Sequence, residues 1–167
     1  MQRFTVGLAG LGSIGLKVAR TIDAGGIPGL TLTAVSARDE AKARRNLADF
    51  KSQPKLTSLA ALADHADIVV ECIPAKHFAE VAEPALAKGR MFMPLSVGQL
   101  LTHMHLVETA MRTGGRILVP TGALLGLDAV RAVAEGNVTS AKIITRKPPA
   151  GLKGAPLLAE RNISVDD

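Results

Sequence analysis

The chain is 167 residues long, 47% hydrophobic and 21% charged, a balance that fits one full-sized folded domain with part of a second and excludes a disordered chain. Lys and Arg number 20 against 15 Asp and Glu, giving a net charge of +5, while aromatic residues make up 2% and Trp and Tyr are absent. Single-stranded nucleic acid needs aromatic stacking platforms, so no nucleic-acid partner is expected, and the mild basic excess suits a small anionic ligand.

The stretch from Phe4 to Leu16 is largely apolar, but glycines at 7, 10, 12 and 15 interrupt it, unlike a leader peptide. No run reaches the roughly 18 apolar residues of a bilayer-spanning helix, so no membrane partner is expected. The one cysteine, Cys72, has no partner for an intramolecular disulfide. It lies in an apolar segment and reads as a small buried hydrophobe, in keeping with a cytoplasmic location.

In chain order, short apolar runs alternate with segments of helical period. Phe4 to Ala9 reads as a first strand, Ser13 to about Ala24 as a helix, and Leu30 to Ser36 as a second strand after the Gly25-Gly26-Ile27-Pro28-Gly29 turn. Asp39 to Phe50 reads as a charged, exposed helix, Lys55 to Thr57 as a weak third strand, and the segment through Leu59 and Leu62 as a short helix. Ile68 to Ile73 is the strongest strand, stopped by Pro74. The helix Phe78 to Ala87 follows, with Gly89 as its end signal. Met91 to Ser96 is expected as a fifth strand, Leu100 to Arg112 as a helix, Arg116 to Val119 as a sixth strand and Leu127 to Glu135 as a helix.

This alternation predicts an α/β fold, a doubly wound and mostly parallel sheet of the Rossmann type. Val138 to Thr145 reads as a seventh strand that opens a second α+β domain, left incomplete by the few residues that follow. The expected division is therefore 1–137 and 138–167. An unpaired edge on that strand predicts self-association.

Gly10-Leu11-Gly12-Ser13-Ile14-Gly15 is a G-x-G-x-x-G directly after a strand and at a helix start, where a dinucleotide pyrophosphate is bound. Gly10 permits the tight turn, Gly12 lets the pyrophosphate approach the backbone, and Gly15 lets the helix pack close to the strand. The free N–H groups at Ser13, Ile14 and Gly15, with the helix dipole, then attract the anion.

About twenty positions on, where the ribose is read, stands Ser36-Ala37-Arg38-Asp39. Ser36 and Arg38 suit a 2′-phosphate and Asp39 a ribose diol, so NAD and NADP both remain open, with a preference for NADP or dual use. Arg38 and Asp39 read equally well as a solvated pair at a helix start, with Asp39 as N-cap.

Other candidates lie where strands end. Ile73, Pro74 and Ala75, then Ser96, then Thr121 and Ala123 leave room for nicotinamide and its ribose, although each segment alone is also an ordinary strand-to-helix turn. Thr121 and Lys147 are candidates for substrate contact, Lys147 lying on a stiff basic turn that also reads as merely solvated. The four histidines are expected in structural or solvated roles and no metal site is expected, since no ligand spacing is recognisable. His103 and His105 are expected on different faces of one helix. Glu71 is out of place in an apolar strand and needs a partner the sequence does not name.

Taken together, residues 6–15, Asp67-Ile68-Val69-Val70-Glu71-Cys72, Pro94-Leu95-Ser96-Val97-Gly98, residues 120–128 and Thr145-Arg146-Lys147-Pro148-Pro149 resemble successive blocks of the L-aspartate dehydrogenases. The resemblance covers essentially the whole chain, and the Gly-Ala-Leu-Leu-Gly-Leu-Asp and Arg-Lys-Pro-Pro segments are its most specific parts. It implies NAD(P)-dependent oxidation of L-aspartate to iminoaspartate, feeding NAD biosynthesis, with Ala123 as a cofactor contact. Family members continue beyond the position of Asp167 into a substrate domain that carries a catalytic histidine and a further cofactor-binding asparagine. No histidine here matches, so no catalytic residue is assigned and turnover is expected to require that region. Two alternatives stay open: a non-catalytic NAD(P)-binding sensor or partner subunit, and a related amino-acid or dipicolinate-type reductase. A homo-oligomer or partner chain is expected.

Overall fold

The computed structural model describes residues 3–122, 126–144, 146, 148–149, 152 and 156–165. Two compact units divide the chain, Met1–Ala123 and Leu124–Asp167.

The first unit is built on six parallel strands, β1 (Phe4–Ala9), β2 (Leu30–Ser36), β3 (Lys55–Leu56), β4 (Ile68–Glu71), β5 (Met91–Pro94) and β6 (Arg116–Ile117). Their order is β3-β2-β1-β4-β5-β6, so the winding direction reverses between β1 and β4. The connections are α1 (Ser13–Asp23), α2 (Glu40–Leu47), α3 (Phe78–Ala87) and α4 (His105–Thr113), with short 3₁₀ turns at Ala60–Asp64, Ala75–His77 and Val97–Thr102. This is the expected Rossmann-type sheet. Reversal at the β1/β4 junction opens a crevice beyond the carboxyl ends of these strands.

Alternating side chains serve two hydrophobic layers. Val6, Leu8, Val70 and Met93 belong with Ala19 and Ile22 of α1 and Leu47 of α2, whereas Val69 and Phe92 belong with Phe78, Val81 and Leu86 of α3 and Leu106 of α4. β2 keeps both layers filled through a bulge, because Val6 pairs with Leu32 while Gly7 pairs with Ala34. Thr33 is the extra residue, and its hydroxyl donates to the carbonyls of His65 (2.6 Å) and Val6 (3.3 Å). The bulge inverts the facing of the strand, so Leu32 and Val35 pack on one layer and Ala34 on the other.

Several elements are shorter than their patterns suggest. β4 ends at Glu71 and β5 at Pro94 because the Glu71 carboxylate takes the N–H groups of Ile73 (2.9 Å) and Ser96 (2.8 Å), turning both chains out of the ladder. The helix expected over 100–112 is broken. The hydroxyl of Thr102 and the Nδ1 of His103 both bond the Gln99 carbonyl, closing a 3₁₀ turn before α4 starts at His105. His103 and His105 therefore do not share a helix, and their rings lie 6.0 Å apart.

In the second unit, α5 (Leu127–Ala134) follows Gly126, which adopts φ +74°, and α6 covers Pro156–Glu160. The seventh strand is not formed: residues 138–144 are described without strand pairing, and Ile143 and Ile144 are exposed. Apolar alternation makes a strand only where a neighbouring strand offers its backbone. The argument for self-association through that edge lapses with it. Among the described residues, no helix is long and apolar enough to cross a membrane.

Candidate functional site

The loop after β1 enters α1 under tight steric control. Gly10 adopts φ +96°, and a Cβ there would stand 2.6 Å from the Cys72 carbonyl oxygen and 2.9 Å from Ile73 Cγ2. At Gly15 a Cβ would lie 2.1 Å from the Gly10 carbonyl oxygen, so the helix can approach the turn only with glycine there. Gly12 differs, since no heavy atom lies within 4 Å of a Cβ built on it. Its backbone carries no steric demand from the protein, and the space in front of it is free for a ligand. Gly12 is also the N-cap of α1 and no side chain caps the helix. The first-turn N–H groups of Ser13, Ile14 and Gly15 lack intrahelical acceptors, the arrangement that suits an anion. Ile14 is 59% exposed.

Hydrogen bonds join the exits of neighbouring strands. Gly10 N–H donates to the Ser36 carbonyl (2.7 Å) and Cys72 N–H to the Ala9 carbonyl (2.9 Å). Together they hold β2, β1 and β4 at the head of a cleft of about 810 Å³. Gly10, Gly12, Ser36, Arg38, Asp39, Ile73 and Pro74 line it, so seven sequence-predicted residues meet in one place. The cleft also takes in Lys42 and Asn46 of α2, and Lys76, His77 and Glu80 beyond β4, none of which the pattern of glycines and strand ends singles out. Their common signal is position: each follows the end of β2 or β4, in the turn or helix that comes next.

Charges in the cleft are unequally engaged. One oxygen of Asp39 accepts the Lys42 N–H (2.9 Å) and caps α2. The Glu80 carboxylate meets Nδ1 of His77 at 2.7 Å. Among the described residues, Arg38, Lys42 and Lys76 form no ion pair. The cleft thus offers three uncommitted cations while both its carboxylates already have partners. Burial pushes the Cys72 thiol up to about 12, helped by the negative charge of Glu71, which favours the protonated thiol at neutral pH.

The remaining candidates fall elsewhere. Ser96 lies against Glu71, with its N–H on Oε2 (2.8 Å) and its hydroxyl on Oε1 (3.2 Å). Ala75 opens the 3₁₀ turn beside the cleft, and Thr121 is exposed beyond β6. Ala123 and Lys147 lie outside the described residues. No group of three or more His, Cys, Asp and Glu side chains suited to a metal ion occurs among the described residues.

Residues 10–120 match the family model described as homoserine dehydrogenase, NAD binding domain. L-aspartate dehydrogenase of Bradyrhizobium diazoefficiens is 48% identical over 161 residues, which cover 96% of this chain and 57% of that protein. L-aspartate dehydrogenase 3 of Bordetella bronchiseptica is 47% identical over 165 residues, covering 99% of this chain and 61% of that one. The chain thus spans about three-fifths of the length of these curated relatives. Among solved structures, an NAD binding oxidoreductase from Klebsiella pneumoniae superposes with a TM-score of 0.61 at 20% identity, over 82% of this chain and 40% of that one. That likeness supports the fold. The chain belongs to the family of dehydrogenase NAD-binding domains that this model describes, and its sequence is similar to those L-aspartate dehydrogenases.

Proposed function

We propose that this chain is the NAD(P)-binding portion of an L-aspartate dehydrogenase, acting with the further length that its relatives possess. The observation that carries this reading is the open space before Gly12 at the uncapped start of α1, in a cleft with three uncommitted cations. Gly10, Gly12, Ser13, Ile14 and Gly15 take the pyrophosphate; Ile73, Pro74, Ala75 and Ser96 wall the nicotinamide side. Bound NAD(P)⁺ supplies the hydride acceptor for Cα of L-aspartate, which leaves as iminoaspartate.

Two features favour NADP at the adenosine end. Asp39 is committed to capping α2, which reduces its capacity to hold a ribose diol. Arg38 and Lys42 present cations at the same end of the cleft, where a 2′-phosphate gains charge-assisted hydrogen bonds. Ala123, Thr121 and Lys147 are assigned to the cofactor and substrate ends by resemblance and by their place after β6 and in the second unit. Residues from 138 onward begin the substrate or dimerisation domain, and none of the described residues is assigned as the acid or base that takes the α-amino proton.

The deciding experiment is titration of NADH and NADPH by nicotinamide fluorescence, followed by L-aspartate with oxidised cofactor. Saturable binding, tighter for NADPH, is expected. Turnover with L-aspartate but not homoserine separates this reading from other reductases of the same scaffold. Binding without turnover locates the chemistry in the additional length of the relatives, and failure to bind either cofactor sinks the proposal.

A further inference from the structure

Glu71 closes the apolar strand Ile68-Val69-Val70-Glu71, yet its side chain is completely buried, the one charged residue among those described that is. A buried carboxylate persists only where donors replace its lost water. Here Oε1 accepts the Ile73 N–H (2.9 Å) and the Ser96 hydroxyl (3.2 Å), and Oε2 accepts the Ser96 N–H (2.8 Å). No cation is ion-paired with it among the described residues.

These bonds are not needed to hold β4 to β5. The ladder already runs from Ile68 opposite Met91 to Glu71 opposite Pro94, and the Leu95 N–H extends it to the Glu71 carbonyl (3.1 Å). Beyond Leu95 the two chains diverge, and no further ladder bond between them fixes one exit against the other. The carboxylate spans that gap, and all its donors belong to the two exit turns. An apolar side chain of the same size would fill the space without orienting either N–H group.

We propose that Glu71 is a positioning residue for the cofactor, holding the exit turns of β4 and β5 at the spacing that the nicotinamide half of a dinucleotide requires. It acts through Ile73 and Ser96 and does not touch the ligand. The inference rests on the cofactor-binding reading above. In this fold the second set of strands receives the second mononucleotide, whereas the adenosine half meets the exits of β1 and β2. That end keeps its own bonds, from Gly10 N–H to Ser36 and from Cys72 N–H to Ala9, when the carboxylate is altered.

The test compares the 167-residue chain with its Glu71→Gln variant, each titrated calorimetrically with NADH, NADPH and ADP-ribose, which lacks the nicotinamide. Glutamine keeps the size and one acceptor but turns an amide NH₂ against an N–H donor. Affinity for the two whole cofactors falls about tenfold while that for ADP-ribose changes less than about twofold. Hydrogen exchange at the Ile73 and Ser96 amides, which the carboxylate accepts from in the wild type, is expected to be faster in the variant. Equal losses for all three ligands, or no loss, overturn the proposal. Should Glu71→Gln not fold, Ser96→Ala removes only the hydroxyl bond, and a smaller loss confined to the whole cofactors is expected, of about threefold. A uniform or absent effect there also counts against it. A wild-type chain that binds none of the ligands overturns the cofactor reading itself, and the role of Glu71 with it, before any variant is made.

Discussion

The glycine loop shares its cleft with the exit of β4, which Glu71 ties to the exit of β5, and the loop and the tied exits are built by opposite means. The loop works by leaving side chains out: Gly10 and Gly15 because protein atoms stand where a Cβ would be, Gly12 because nothing does. The β4 and β5 exits work by putting one in, a buried carboxylate whose oxygens replace ladder bonds that the diverging chains no longer make. A surface left open and a surface held in shape therefore call for different chemistry.

The two kinds of glycine separate most sharply on substitution. Gly15→Ala drives a methyl to 2.1 Å from a backbone oxygen that cannot rotate away, so it should cost about 3 kcal/mol in urea unfolding, the upper end of overpacking, and abolish cofactor binding as well. Gly12→Ala meets no protein atom within 4 Å. Its unfolding free energy should change by less than about 1 kcal/mol, the scale of a weakened N-cap, while NADPH affinity drops tenfold or more. A Gly12→Ala variant that binds normally would show that the open space is not where the pyrophosphate lies.

Next in size comes the adenosine end, where the cleft is built from charge. Replacing Arg38 and Lys42 together by alanine should weaken NADPH about tenfold more than NADH, since each charge-assisted bond to a phosphate contributes about 1.5–3 kcal/mol before solvent screening. Parallel titrations at low and high salt check this. Equal weakening of both cofactors would remove the 2′-phosphate assignment.

The smallest effect lies at the opposite, amino-terminal end of the strands, where a second carboxylate ties strands together in a wetter setting. Asp67 accepts from the Thr5 hydroxyl (2.7 Å) and the Thr5 N–H (2.9 Å), and its side chain is 44% exposed. The Thr5 side-chain bond first, then the Thr5 backbone bond and the nearby Arg90 charge, hold its carboxyl below the ordinary value of 3.8 against a smaller opposing effect of burial. A carboxyl lowered on folding contributes stability that is complete above its unfolded value and is lost as pH falls through the folded one. After discounting for exposure, that amounts to under about 1 kcal/mol. Urea midpoints measured from about pH 6 down to about pH 3 should fall less steeply in Asp67→Asn than in the wild type. Identical slopes would show that the Thr5 bonds contribute nothing on folding.

Much of the first unit is legible in the sequence. β1 and β2 run from Phe4 to Ala9 and from Leu30 to Ser36 as their patterns indicate, because runs rich in apolar and β-branched residues between glycine turns favour parallel strands there. Asp39 was readable both as a ribose contact and as a helix cap, and its bond to Lys42 makes it a cap. Residues 138–144 form no strand despite their apolar alternation, because alternation is a local property and pairing is not.

Sequence by itself determined the order of elements, the glycine loop at the start of α1 and the parallel winding, since these follow from periodicity and from backbone conformations that only particular residues adopt. Tertiary structure decided the rest: the bulge at Thr33 that lets β2 fill both layers, the gathering of Lys42, Lys76 and His77 into the cleft, and the partners of Glu71. Each depends on groups brought together from distant parts of the chain. Glu71 and Ser96 lie 25 positions apart, and only the pairing of β4 with β5 places a carboxylate where an N–H group needs it.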